Sequence, residues 1–188
     1  MRIISGEFGG RRIHPPTNMP HTRPTTDIAK EGLFNILQHK MNLEGIKTLD
    51  LFGGTGCISY ELASRGASEL TIIEKDAVMH DFIKKNMEML KVENCKIFRL
   101  DVFSYLSTCT EQFDIIFAGP PYSLGTIDEL PKIIVEKNLI APNGFFILEH
   151  TPRNDYEKFA GFSFQRNYGS TVFSFFVKKE HFIAYLGK

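Results

Sequence analysis

The chain has 188 residues, a length that suits one globular domain with a small appendage. Apolar residues make up 43% and charged residues 23%, enough for a packed core in a water-facing protein, and no apolar run approaches the ~20 residues that span a bilayer, so no membrane partner is expected. Lys plus Arg equals Asp plus Glu at 22 each, which argues against a nucleic-acid-binding surface over the whole molecule.

The charge is nevertheless uneven. Residues 1–30 carry Arg2, Arg11, Arg12, Arg23 and Lys30 against only Glu7 and Asp27, a basic arm of the kind that touches phosphates. MRIISGEFGGRR lacks the apolar segment of a signal peptide. RIIS and RRIHPP alternate around Gly9-Gly10 and predict a small hairpin. A helix follows TRPTTD, with Thr25 or Thr26 as cap, Asp27 in its first turn, and Ala29, Leu33, Ile36 and Leu37 on one face. Residues 1–40 therefore form an N-terminal extension, and residues 41–188 the main domain.

That domain alternates. Strands are expected at 47–54, 69–76, 95–101, 113–119 and 144–150. Helices are expected at 57–65 (closed by Gly66), 77–90 (Val78, Phe82, Ile83 and Leu90 inward), 102–109 and 127–137. Two further strands, 161–169 and 170–179, are joined so tightly around Gly169-Ser170 that they must pair antiparallel. The pattern is α/β: a Rossmann-like, seven-stranded mixed sheet with helices on both faces and right-handed crossovers, ending in an antiparallel hairpin. Cys57, Cys95 and Cys109 are odd in number and show no CxxC spacing. A disulfide framework and a zinc site are not expected, and a reducing cytoplasm is.

Ligands of such sheets bind at the carboxyl ends of the strands. The first strand ends in LDLFGGTGC, where Gly53, Gly54 and Gly56 let the backbone turn and approach a ligand. Glu74 closes the second strand, placed to accept both hydroxyls of a ribose. Asp101 closes the third, where its carboxylate and the Val102 N–H can read an adenine edge. Together these make one adenosine site. Gly54-Thr55-Gly56-Cys57-Ile58-Ser59 is one residue away from the dinucleotide fingerprint, and Glu74 lies about twenty residues on, so a nicotinamide cofactor competes. Asp50, placed to hold a methionine amine through the loop, favours S-adenosylmethionine. So does Pro-Pro-Tyr after the fourth strand, which has no task in hydride transfer.

FAGPPY, residues 117–122, has the layout of enzymes that methylate an amine on a planar group. The chain as a whole resembles the bacterial small-subunit 16S ribosomal RNA guanine-N2 methyltransferases. The likeness runs through MRIISGEFGGRRI, TRPTTDIAKEGLFNIL, LDLFGGTGCISYELASRGA, IIEKD, FDIIFAGPPY and YGSTVFSFF. It implies a class I methyltransferase fold, S-adenosylmethionine as donor, no metal, and a guanine N-2 amine as acceptor, met within an assembling subunit. By position, Asp50, Phe52, Gly53, Gly54, Thr55, Gly56, Glu74, Lys75, Asp101 and Val102 would bind cofactor. Arg23 and Thr25 would line the site, Arg11 and Arg12 would meet phosphates, and Tyr122 would stack on the base. Gly119, Pro120, Pro121 and Tyr122 would form the catalytic tip.

One position departs from the pattern. The family carries an Asp or Asn side chain where Gly119 stands, an acceptor that polarises and orients the amine. Only the carbonyls of Gly119 or Pro120 remain. A hydrogen bond to a charged group contributes roughly 1.5–3 kcal/mol, so the loss predicts a reaction slowed about ten- to two-hundredfold, or rescue by another acid, for which Asp27 is the most favourable candidate. A non-catalytic module that binds cofactor and RNA, and a methyltransferase acting on DNA adenine or protein glutamine, are the competing readings. The GGRR arm and TRPTTD favour RNA over glutamine, and the short chain leaves little room for a DNA target-recognition region.

Overall fold

The structure, a computed structural model, describes residues 1–19 and 25–178. Residues 1–3 run antiparallel to 11–13. Ile3 N donates to Arg11 O and Ile13 N to Met1 O, both at 3.0 Å, and Arg2 faces Arg12. This is the expected hairpin, with a wider turn: it occupies residues 5–10 and ends on Gly10 at φ +83°.

Helix α1 (Asp27–Lys40) starts where the Thr26 hydroxyl accepts from Ala29 N at 3.2 Å, so Thr26 rather than Thr25 is the cap. Its inward face is Ala29, Lys30, Leu33, Phe34 and Leu37; Ile36, expected there, is only half-buried. Lys30 is 1% exposed and anchors a buried network. Its Nζ donates to Arg2 O at 2.6 Å and lies 3.7 Å from Glu61 Oε2. Glu61 accepts from Ile4 N at 2.8 Å and Ser5 N at 3.0 Å, and pairs with Arg65 at 2.8 Å. Buried charges are tolerated when every partner is supplied, and here the N-terminal backbone supplies them.

The body runs β1 (Lys47–Asp50), α2 (Cys57–Ser64), β2 (Glu69–Ile73), α3 (Ala77–Met89), β3 (Cys95–Phe98), α4 (Val102–Thr108), β4 (Phe113–Ala118), α5 (Glu129–Glu136), β5 (Ile140–His150), β6 (Phe162–Tyr168) and β7 (Thr171–Phe176). The sheet order is β3-β2-β1-β4-β5-β7-β6, with β7 antiparallel to both of its neighbours and the other pairs parallel. The expected seven-stranded mixed sheet is present.

One apolar cluster joins the arm and α1 (Ile3, Phe8, Leu33, Phe34) to Ile58, Ile72, Phe117 and Phe173; the opposite face holds Leu106, Leu130, Ile134 and Phe146. Gly32 on α1 packs so closely on Tyr168 that an added Cβ would lie 2.3 Å from its ring. That contact gives the YGSTVF stretch a structural role at the sheet edge.

The early strands are shorter than the sequence pattern indicates. β1, β2 and β3 stop at Asp50, Ile73 and Phe98, and beyond β1 and β2 single backbone bonds to the neighbouring strand, Leu51 N to Phe117 O at 2.9 Å and Glu74 N to Phe98 O at 3.0 Å, lead into the loops. β5 starts earlier than expected, across a register irregularity opposite Phe113 and Ile115, where Asn143 takes φ +63° beside Gly144. On α3, Val78 is 58% exposed and does not point inward. Met79, Ile83 and Met87, spaced at four, form the buried stripe, and Val78 lies about 100° round the helix from Met79. The last residue of the expected 170–179 strand lies outside the described residues.

Glu61→Ala should strand Lys30, Arg65 and two backbone donors together. We expect it to lower the unfolding free energy by about 3 kcal/mol or more in a urea titration, whereas the exposed Glu31→Ala changes it by less than about 0.5 kcal/mol.

Candidate functional site

Parallel pairing levels the strand tips. Asp50 on β1 pairs with Ile72 on one side and Phe117 on the other. Ile73 pairs with Phe98, and Ala118 with Leu148. The loops after β1, β2, β3 and β4 therefore leave the sheet at one level, beside Glu149 near the end of β5. Strand order reverses between β1 and β4, the place where open α/β sheets hold ligands.

The glycine loop is tightly braced. Gly53 N donates to Ile73 O at 3.0 Å, and a Cβ there would lie 2.8 Å from both Ile72 and Ile83. Gly54 takes φ +53° and donates its N–H to Glu74 Oε2 at 2.8 Å. Gly56, at φ +80°, caps α2. Thr55 is buried, Phe52 is half-buried and Lys75 is exposed. Glu74 also accepts from Asp76 N at 2.8 Å through Oε1. Each of its oxygens thus keeps a second lone pair after bracing the loop. Asp101 caps α4, accepting from Phe103 N at 2.9 Å and Ser104 N at 3.2 Å with the same oxygen, and Val102 opens that helix.

Asp50 is buried behind the loop. Its Oδ2 accepts from Ser59 Oγ at 2.8 Å, while Oδ1 has no hydrogen-bond partner. Burial above all pushes its carboxyl up to about 7; Ser59 and, less strongly, the Phe52 backbone N–H pull the other way, and the charges of Glu74 and Glu149 add to the rise. An orphaned buried carboxylate oxygen behind a glycine cradle suits a cationic ligand group. Burial pushes the Cys57 thiol up to about 11, which leaves it a protonated core group rather than a nucleophile.

Beyond β4, Pro120 is buried and Pro121 and Tyr122 are exposed, Tyr122 at 43%. Leu124 N donates to Pro121 O at 2.9 Å, which turns the segment back on itself. Gly119 does not take a left-handed φ, so its backbone does not require glycine. A Cβ there would lie 3.1 Å from Phe117 Cε1 and 3.4 Å from Glu149 Oε2. Thr25 Oγ1 donates to that same Glu149 oxygen at 2.6 Å, bringing Thr25 to the tip of β5.

Sequence reasoning missed Glu149 and Ser59. The signal for Glu149 was available, since GFFILEH carries a carboxylate near a strand end, as the stretches holding Glu74 and Asp101 do. Asp27, the acid named from sequence, lies exposed in the first turn of α1. Arg11 and Arg12 are exposed, Arg11 with its guanidinium 5.2 Å over the Phe8 ring. Their hairpin is fastened to Glu61 and Ser64, roughly 7–12 Å along α2 from Gly56, away from the glycine loop. Arg23 lies outside the described residues.

Strand order and hairpin together define a Rossmann-like class I methyltransferase fold. A putative methyltransferase from Escherichia coli superposes with TM-score 0.82 at 26% identity, over 95% of this chain and 98% of that one. The 16S rRNA N2 G1207 methyltransferase of Thermus thermophilus, solved with AdoMet and guanosine, superposes with TM-score 0.64 at 26% identity, over 82% of this chain and 44% of that one. The chain belongs to the family described as conserved hypothetical protein 95, whose model matches residues 1–177. The ribosomal RNA small subunit methyltransferase D of Escherichia coli K12 is 30% identical over 154 residues, 82% of this chain and 76% of that protein. The family resemblance drawn from GGRRI, TRPTTD and Pro-Pro-Tyr is borne out.

The Asp50 carboxyl binds its proton more tightly folded than unfolded, because its folded value of about 7 exceeds the ordinary 3.8. Its contribution to stability is therefore complete below about pH 4 and is lost as pH rises toward 7. We expect Asp50→Asn to remove that slope in urea unfolding of the ligand-free protein, and to be more stable relative to the parent at about pH 7.5 than at about pH 5.

Proposed function

We propose that this chain transfers a methyl group from S-adenosylmethionine to the exocyclic N-2 amine of a guanine in small-subunit ribosomal RNA, met in an assembling subunit in the cytoplasm. One observation carries the reading: the glycine loop after β1 and Gly119-Pro120-Pro121-Tyr122 after β4 leave adjacent strands at the same level. The Escherichia coli relative, a ribosomal RNA small subunit methyltransferase, supports the RNA, and the AdoMet and guanosine bound to the Thermus protein support the donor and the base.

The residues fit the donor. Asp50 answers a cationic amine through the loop of Phe52, Gly53, Gly54, Thr55 and Gly56. The spare lone pairs of Glu74 take ribose hydroxyls beside Lys75, and the Asp101 carboxylate with the Val102 N–H reads the adenine edge. S-adenosylmethionine, when bound, supplies a methyl activated by its positive sulfur.

The chain's own task is positioning. A guanine held in RNA must be splayed or flipped out to reach the strand tips. Tyr122 stacks on it, and the Gly119–Pro120 carbonyls orient its amine. The amine nitrogen forms the N–C bond as the C–S bond breaks, and one amine proton leaves. Residues 1–40 act as the RNA-facing extension, with Arg11 and Arg12 on phosphates and Arg23 and Thr25 beside the base. Residues 41–188 hold the donor.

The test is labelled methyl transfer to small-subunit RNA and to assembly particles lacking the modification. Label is expected on guanine N-2. Label on adenine or on protein glutamine, or affinity for a nicotinamide dinucleotide with none for S-adenosylmethionine, would refute the reading. Tyr122→Ala should lower kcat/KM for RNA about five- to a hundred-and-fiftyfold, with S-adenosylhomocysteine affinity retained.

A further inference from the structure

We infer that Glu149 supplies the acceptor that Gly119 lacks, receiving a hydrogen bond from the exocyclic amine of the base. The inference rests on the function proposed above and assigns one further group to that site.

Three observations place Glu149 there. The first is position. Gly119 follows Ala118, which pairs with Leu148, so Glu149 stands beside Gly119 across the β4–β5 ladder. The second is occupancy. Glu149 Oε2 lies 3.4 Å from where a Cβ at residue 119 would be, at the edge of the volume that an Asp or Asn side chain would fill. The third is rigidity. Glu149 is 6% exposed, and the Thr25 hydroxyl holds its Oε2 at 2.6 Å, so the carboxylate is fixed before a base arrives. Its charge also adds, as the smallest contribution, to the rise at Asp50.

The glycine then has a purpose. Backbone geometry does not demand it, since its φ is not left-handed. A side chain at residue 119 would stand between the base and Glu149, and its absence opens the approach. In the reaction the amine lone pair forms the N–C bond with the methyl of S-adenosylmethionine. The C–S electron pair stays on sulfur, giving S-adenosylhomocysteine, and the proton shed by nitrogen passes to Glu149 and on to solvent.

A purely structural Glu149, serving to anchor Thr25 and its surroundings, predicts different behaviour. Glu149→Gln keeps an oxygen for the Thr25 hydroxyl and removes the charge. We expect it to retain the melting temperature and S-adenosylhomocysteine affinity measured by calorimetry, while kcat falls about tenfold or more and KM for RNA changes little. Gly119→Asp should restore most of that loss in the Glu149→Gln background. It should give no gain in the parent, where it sets a second carboxylate beside Glu149. A Glu149→Gln enzyme with the parental rate would overturn the inference. So would one whose cofactor affinity and melting temperature fall along with its rate, or one that Gly119→Asp does not rescue. A parent protein that methylates no ribosomal RNA would instead refute the proposed function, and the inference with it.

Discussion

The parallel register between β1 and β4 is the constraint on which everything else depends. Asp50 opposite Phe117 forces two loops about seventy residues apart in sequence to leave the sheet side by side. Shifted pairing would separate the glycine turn from Pro-Pro-Tyr and leave two unremarkable loops. The register is fixed from both faces: Leu49 and Ile116 pack into one apolar layer, and Ile115 and Phe117 into the other. A one-residue slip would invert every side chain, so burial on both faces enforces the alignment of the tips.

The electrostatics of that edge follow from the same geometry. Asp50, Glu74 and Glu149 converge there, and the protein manages them with hydrogen-bond donors: Ser59 for Asp50, the Gly54 and Asp76 N–H groups for Glu74, Thr25 for Glu149. Asp50 is the unresolved member, with one buried oxygen unpartnered and a carboxyl that holds its proton to about 7. A site that concentrates carboxylates around glycine turns is suited to a ligand bearing a positive charge and sugar hydroxyls. The arm contributes at a distance: its backbone N–H groups satisfy Glu61 in the C-terminal half of α2, the helix that Gly56 caps.

Much of this was legible in the sequence because it is local. Alternation of β-branched runs with helical stripes gave the sheet, and Gly169-Ser170 gave the terminal hairpin. The glycine triplet and the acids at Glu74 and Asp101 marked the strand tips. What the sequence could not show depends on contacts between distant residues. Val78 and Met79 are adjacent and both apolar, and only the packing of α3 decides that Met79 turns inward. Buried Lys30 reads as an exposed cation until Glu61 and the Arg2 carbonyl are seen around it. Gly119 reads as a loss until the neighbouring strand is known to place Glu149 next to it.

The most direct test of the central claim is a backbone amide NMR titration with S-adenosylhomocysteine. Shared occupancy of the strand tips predicts that the largest shifts fall at Gly54, Glu74, Val102, Gly119 and Glu149 together, with little change at the opposite strand ends around Lys47 and Glu69. Shifts confined to one of those loops, or clustered at Lys47 and Glu69, would contradict it.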